Sequence, residues 1–525
     1  MTYSVRWSVP AIGAFAYRSR ATLHKQGDEW RLRWRPAVVH PKLEAGVRLG
    51  TTRSPRRRGA IQGRDGRALM TARPVQRVGV VAGRVRDPRA TAQALGRAVD
   101  VDPKPLERAI RRGGRQQFVE AVALRPGEFD RVEAAVKAVP GATVVAGTAQ
   151  LAPTRAFARA LLGGVGPATA EQLKRLGDRY APGDEVGQWG LQQAFQSRLA
   201  PTPDRSVVLR ADGVPIETLL RRTGRNGRSL RTTLDRRTQA AAETALGGRK
   251  DEAALVAIQP SSGDILAVAN RPVDSTYDRA LEGNYPPGST FKVVSTAALL
   301  DDGLSPSETV ACPRAITAEG RSFKNFEGGA GGAQPFARDF AQSCNTAFVS
   351  LAPRLGPDAL TRTGRAFGLG IAPRLKLRAA KSQVPPGRTE VERAAAMIGQ
   401  ARILTSPLAM AGVAGTVSDG RWRAPRLLAS DRRGQGAPLP GDQAATLRTL
   451  MRSVVTSGTG TALAAVPGEP AGKSGTAEYG GGDPPPTHAW FIAFRGDLAV
   501  AVLVENGRSG GSVAAPIAAR FLGAL

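Results

Sequence analysis

The sequence predicts an α+β fold spread over more than one domain, on three observations. Its 525 residues are enough for two or three separate cores. The second half opens with two apolar strand-like runs, Ala253 to Pro260 and Ile265 to Ala269, joined by the turn Ser261-Ser262-Gly263-Asp264. It closes with a second pair, Ala489 to Phe494 and Leu498 to Glu505, then a helix-like run, Val513 to Leu522. Strands at both ends with helices between them describe a sheet flanked by helices.

Residues 1 to 50 read as short strands of period two, with Ala21 to His24 and Glu29 to Trp34 forming a hairpin. A basic, Pro-containing connector follows, and Asp65-Gly66 marks a turn between two strand-like pieces. Residues 75 to 150 alternate helix-like runs (Thr91 to Ala98, Pro105 to Arg112, Glu128 to Val139) with a strand, Gln116 to Leu124. Helical runs at Thr154 to Leu162 and Ala168 to Tyr180 complete an α+β module that holds no catalytic constellation. In the second half, helices are expected at Leu234 to Leu246, Phe291 to Leu300, Ala337 to Leu355 and Val391 to Val417.

Composition narrows the function. Hydrophobic content of 42% and charged content of 22% describe a globular chain. The net charge is +30, mostly from arginines scattered along the chain, without a zinc-finger, RRM or basic-helix pattern. That argues against nucleic acid and leaves attraction to an anionic envelope or a compositional bias. Two cysteines, Cys312 and Cys344, exclude a disulfide scaffold and a structural zinc site. Cys344 reads as a small packed residue, and one bridge to Cys312 stays open. Three dispersed histidines give little material for a His-based triad or a metal centre, and no 18-residue apolar run offers a membrane span.

The chemistry concentrates in Ser289-Thr290-Phe291-Lys292, at the end of a Gly/Pro-rich loop and the start of an apolar helix. Free N–H groups at a helix start favour developing negative charge, and Lys292 lies one turn beyond Ser289. That pairing suits a serine acyl transferase whose base is an amine. Alone it is short and common. It gains weight from Ser343-Cys344-Asn345, 54 residues after Ser289, and Lys473-Ser474-Gly475-Thr476, 130 residues after Ser343.

The ordered set S-x-x-K, S-x-N and K-[ST]-G resembles the transpeptidase domain of penicillin-binding proteins. The likeness extends to Ile398-Gly399-Gln400 with Leu404 to Ala411, and to His488 to Ala493 after the third motif. Arg58-Gly59-x-Ile61-x-x-Arg64-Asp65-Gly66 and Gly187-x-x-Gly190-Leu191-Gln192 resemble the dimerisation, or pedestal, domain of class B members. Gly63 stands where that family usually has Asp. No glycosyltransferase segment accompanies them.

The resemblance implies three domains: 1–50, the C-terminal remnant of an NTF2-like domain; 51–225, the pedestal domain; 226–525, the transpeptidase domain, with a β-lactamase-like antiparallel sheet flanked by helices. It also implies D,D-transpeptidation of peptidoglycan stem peptides and covalent binding of β-lactam antibiotics. Ser289 is then the nucleophile, Lys292 its base, Ser343 a proton relay and Asn345 a holder of Lys292 and a substrate carbonyl. Lys473 would lower the pKa of Lys292, and Ser474, Gly475 and Thr476 would line the substrate. Backbone N–H groups of Ser289 and Thr476 would form the oxyanion hole. His488 and Trp490 are expected to pack, and no metal or organic cofactor is implied. A D,D-carboxypeptidase, a β-lactamase and a non-turnover β-lactam sensor or scaffold are the rival readings. The family also implies a polytopic glycan polymerase partner, placement on the extracytoplasmic face of the membrane, and an anchor helix upstream of Met1.

Overall fold

A computed structural model describes residues 1–177, 179–325, 329–482 and 484–525. The chain forms two compact units, one comprising Met1–Leu69 with Thr154–Leu525, the other Met70–Pro153.

The larger unit is built on a five-stranded antiparallel sheet in the order Asp264–Arg271, Ala253–Gln259, Leu498–Val504, Thr487–Arg495, Ala471–Glu478. Both expected strand pairs are present, and the two ends of the domain meet where Ala253–Gln259 pairs with Leu498–Val504. The three inner strands are buried almost throughout, so both sheet faces are covered. On one face Ala242, Leu246, Phe491, Val502, Ile517 and Phe521 form a core under the helices Arg236–Ala245 and Ala515–Gly523. On the other lies Pro407–Asp419, capped by Ser406 and ended by Gly420 in the left-handed region. Ala471–Glu478 is an edge strand, so alternate N–H and C=O groups remain free for a ligand.

Two long helices expected from periodicity are each broken. The run from Ala337 divides into Phe336–Gln342 and Asn345–Ser350, because Ser343 turns into the left-handed region at φ 61°. The run from Val391 divides into Glu390–Met397 and Pro407–Asp419, with Gly399 and Ala401 at φ 71° and 60°. Apolar spacing continued across both breaks, which is why periodicity alone did not locate them.

Near the amino end the expected hairpin forms as Thr22–Gln26 and Glu29–Arg33. Within the same period-two region a preceding hairpin pairs Thr2–Val9 with Gly13–Arg20. It buries Ile12 and Phe15 against Val207 of the sheet Val47–Ser54, Asp204–Ala211 and Val214–Arg222. The run expected from Ala168 to Tyr180 is helical over Ala170–Leu176, and residue 178 lies outside the described residues.

In the smaller unit, Pro88–Val99 and Pro103–Arg112 begin with capping Asp87 and Asp102 followed by proline. They bury Ala92, Leu95, Leu106 and Ile110 against Val78, Val80 and Val119 of the strands. Strand Ala142–Leu151 pairs with the long strand Ala68–Val81 at Thr71↔Leu151. The helix expected over Glu128 to Val139 is two short pieces, Pro126–Phe129 and Glu133–Lys137. Only Phe129, Val136 and Val139 are buried there, too few for a continuous amphipathic face.

Candidate active site

Ser289 lies in a 3-10 turn, Gly288–Phe291, that leads directly into the helix Lys292–Asp301. In a 3-10 turn residues i and i+3 eclipse, so Ser289 and Lys292 face the same side. The turn is clamped from several directions. Gly288 N–H donates to Gly399 C=O at 3.1 Å, Tyr285 and Thr405 exchange two backbone bonds at 2.8 Å, and Trp490 Nε1 donates to Pro286 C=O at 3.0 Å. The approach leaves no room for side chains. A Cβ on Gly399 would stand 2.1 Å from Gly288 O, and one on Gly288 would stand 2.4 Å from Thr476 O. The loop after Met397 thus supports the serine turn, which in turn lies flat on the edge strand.

The three motifs converge. Lys292 is fully buried, and its Nζ donates to Ser343 C=O at 2.8 Å and Asn345 Oδ1 at 2.7 Å, with Ser343 Oγ at 3.3 Å. Ser289 Oγ donates to the same Asn345 Oδ1 at 3.5 Å. Asn345 therefore holds serine and lysine through one amide oxygen. The left-handed turn at Ser343 is what brings its carbonyl and hydroxyl together on the amine.

Burial pushes the Lys292 amine well below the usual lysine range, the nearby Lys473 lowers it further, and Asp339 opposes both. Lys473, also fully buried, is pushed down to about 7 by desolvation. Its Nζ donates to Ser474 C=O at 3.1 Å and stands 5.7 Å from the Phe340 ring centroid. Ser474 Oγ shares a 2.6 Å hydrogen bond with Thr459 Oγ1, and Thr476 Oγ1 accepts from Gly510 N–H at 3.3 Å. Gly475 lies against the serine turn: a Cβ there would stand 2.8 Å from Thr290 Cγ2. Trp490 is fully buried, and His488 stacks on Tyr479 at 4.0 Å, so both pack as expected.

Residues outside the three motifs support them, and the cysteine bridge that the sequence left open is present. Cys312 and Cys344 form a disulfide with Cα atoms 6.2 Å apart, tying the centre of the second motif to strand Thr309–Cys312. Asn325 Oδ1 accepts from Asn345 N–H at 2.8 Å and Thr346 N–H at 3.0 Å, and Asn345 Nδ2 donates to Lys324 C=O at 3.0 Å. Asp339 is buried, takes a hydrogen bond from Gln334 at 2.5 Å and has its carboxyl raised by burial. A lone Asn or Asp has no spacing signal; only the fold brings these residues to the motif. Among the described residues no helix is long and apolar enough to cross a membrane.

Residues 253–523 match the penicillin binding protein transpeptidase domain, 53–232 the penicillin-binding protein dimerisation domain, and 1–47 the NTF2-like N-terminal transpeptidase domain. The chain is 35% identical over 321 residues to the peptidoglycan D,D-transpeptidase PbpA of Mycobacterium tuberculosis, covering 50% of this chain and 65% of that relative. It is 35% identical over 358 residues to PbpA of Mycolicibacterium smegmatis, covering 56% and 72% respectively. The chain thus spans a little under two thirds of the first of these relatives. Its fold matches a solved structure described as "Structural coordination of polymerization and crosslinking by a peptidoglycan synthase complex", with TM-score 0.70, 24% identity, and coverage of 91% and 92%. With its three motifs gathered in one cleft and a dimerisation domain ahead of them, the chain belongs to the class B penicillin-binding proteins.

Proposed function

We propose that the chain is a serine D,D-transpeptidase of peptidoglycan cross-linking. The observation that carries this reading is the sealed Lys292 amine, held between Ser343 and Asn345 and joined to Ser289 through the shared amide oxygen. A neutral amine has two N–H groups and one lone pair. Its two shortest contacts use the N–H groups, and the lone pair is left for a hydroxyl proton.

Ser289 Oγ attacks the carbonyl of a D-Ala-D-Ala bond, losing its proton towards Lys292. Asn345 orients both groups, and Ser343 passes the proton to the leaving nitrogen, so that D-alanine departs. The N–H groups of Ser289 and Thr476 receive the oxyanion, each contributing about 3 kcal/mol to the transition state. The substrate backbone lies along the edge strand beside Gly475, and Lys473, Ser474 and Thr476 take its terminal carboxylate. The amine of a neighbouring stem peptide then attacks the Ser289 ester; the ester bond breaks, the new amide forms, and the amine's proton returns by way of Lys292 to Ser289 Oγ. A β-lactam follows the same first step and stays on Ser289.

The division 1–50, 51–225 and 226–525 belongs to this reading. So does placement on the extracytoplasmic face of the membrane, which the Cys312–Cys344 disulfide supports because such bonds persist in oxidising compartments. A glycan polymerase partner is supported by the likeness to a chain solved within a peptidoglycan synthase complex.

The test is labelling with a fluorescent penicillin. Wild type is expected to form a stable adduct and Ser289→Ala none. Donor and acceptor stem peptides should be joined by wild type. Unlabelled wild type refutes the acyl-enzyme. A rapidly lost label indicates a β-lactamase, release of D-alanine without joining a carboxypeptidase, and a stable label without turnover a sensor.

A further inference from the structure

We propose that Thr459 is a positioning residue for the carboxylate-binding end of the cleft, acting through the hydroxyl of Ser474. The inference rests on the transpeptidase reading above and names a residue outside its three motifs.

Thr459 lies in the turn that follows helix Gln443–Ser457. Its backbone N–H donates to Ala341 C=O at 3.2 Å, two residues before Ser343, and its side chain meets Ser474 at 2.6 Å. One residue therefore joins the wall that carries Ser343 to the strand that carries Lys473. The turn has no slack. A Cβ on Gly458 would stand 2.2 Å from Ala341 O, and one on Gly511 would stand 2.7 Å from Thr459 O. The hydroxyl is thus held at a fixed point against the edge strand.

Two hydroxyls in one hydrogen bond use one proton and leave the other free. Ser474 is 5% exposed, and among the described residues Thr459 Oγ1 has no other hydrogen-bond partner. Donation from Thr459 to Ser474 Oγ frees the Ser474 proton for an anion in the cleft. Two further donors flank it. Thr476 Oγ1 is already an acceptor for Gly510 N–H, which leaves its own proton to give. Lys473 Nζ is held on Ser474 C=O. A rigid set of donors costs less to organise around a carboxylate than a set of free rotors. Without Thr459 the Ser474 hydroxyl rotates freely, and the loss falls on ligands that carry a carboxylate.

The experiment compares acylation of the full chain by a penicillin and by the neutral methyl ester of the same penicillin. Thr459→Val keeps the shape and removes the hydroxyl. It is expected to lower the second-order acylation constant for the acid about tenfold, the scale of a hydrogen bond to a charged group. The fall should lie in the binding constant, with the limiting acylation rate and the reaction with the ester little changed. Thr459→Ser should restore the acid, and thermal melting of each variant checks that it folds. Equal loss for acid and ester makes the turn a structural brace and overturns the proposal. So does an acid reaction indifferent to the hydroxyl. Wild type that reacts with neither probe overturns the transpeptidase reading and this one together.

Discussion

Two buried amines in one cleft cost stability that catalysis needs. Lys473 has an ordinary value of 10.5 when solvated and about 7 in the fold. Between those limits the unfolded chain binds the proton and the folded chain does not, so stability rises with pH across this window. Below about 7 the penalty is complete. Lys473→Met is therefore expected to raise the melting temperature at pH 7, by a stabilisation on the order of a few kcal/mol. The gain should shrink as pH approaches 10, and acylation should be lost throughout. Melting curves of both proteins from pH 6 to 10 measure this; an unchanged gap refutes the assignment. On activity the sign is opposite, because the ammonium attracts a carboxylate. Acylation by penicillin should decline on the alkaline side with a midpoint near 7, which a pH series of acylation constants checks.

At the scale of elements, the second motif is held by what surrounds it. Ser343 and Asn345 belong to different helices, and the bond from Cys344 to Cys312 pins the residue between them. It closes a loop of 32 residues, for which chain entropy alone gives about 4 kcal/mol. Cys312→Ser with Cys344→Ser should cost stability of that order, read as a lower melting temperature, and a reductant should do the same to wild type but not to the double variant. The sequence displays the motif residues because their chemistry restricts residue type at fixed spacing. It hides their supports, because Asn325, Asp339 and Thr459 are ordinary polar residues until folding brings them there. Helix breaks at Ser343 and Gly399 were illegible for a related reason. Apolar periodicity reports which face is buried, and a tertiary contact decides where the chain must turn.

The whole molecule shows the same division. The sheet strands were readable because Ala253–Gln259 and Leu498–Val504 are continuous apolar runs, while Thr2–Val9 shows only the alternation of a half-buried strand, which does not name Gly13–Arg20 as its partner. Met70–Pro153 carries its own core, and its ends meet where Thr71 pairs with Leu151. Replacing residues 72–150 by a two-residue Asn-Gly turn is expected to leave a folded chain that penicillin still acylates at an unchanged rate. Failure to label in a variant that melts cooperatively would show that the cleft depends on the excised unit. The close approach of Gly399 to Gly288, and of Gly288 to Thr476, has a further consequence under antibiotic selection. A side chain at Gly288 or Gly399 would collide with the facing backbone, so neither position can change without moving the serine turn. Gly288→Ala and Gly399→Ala are therefore expected to slow acylation by penicillin along with any other reaction of Ser289, which acylation constants of the two variants check. Under a drug that acylates Ser289, these two glycines are positions closed to escape, because the change that blocks the drug also displaces the nucleophile.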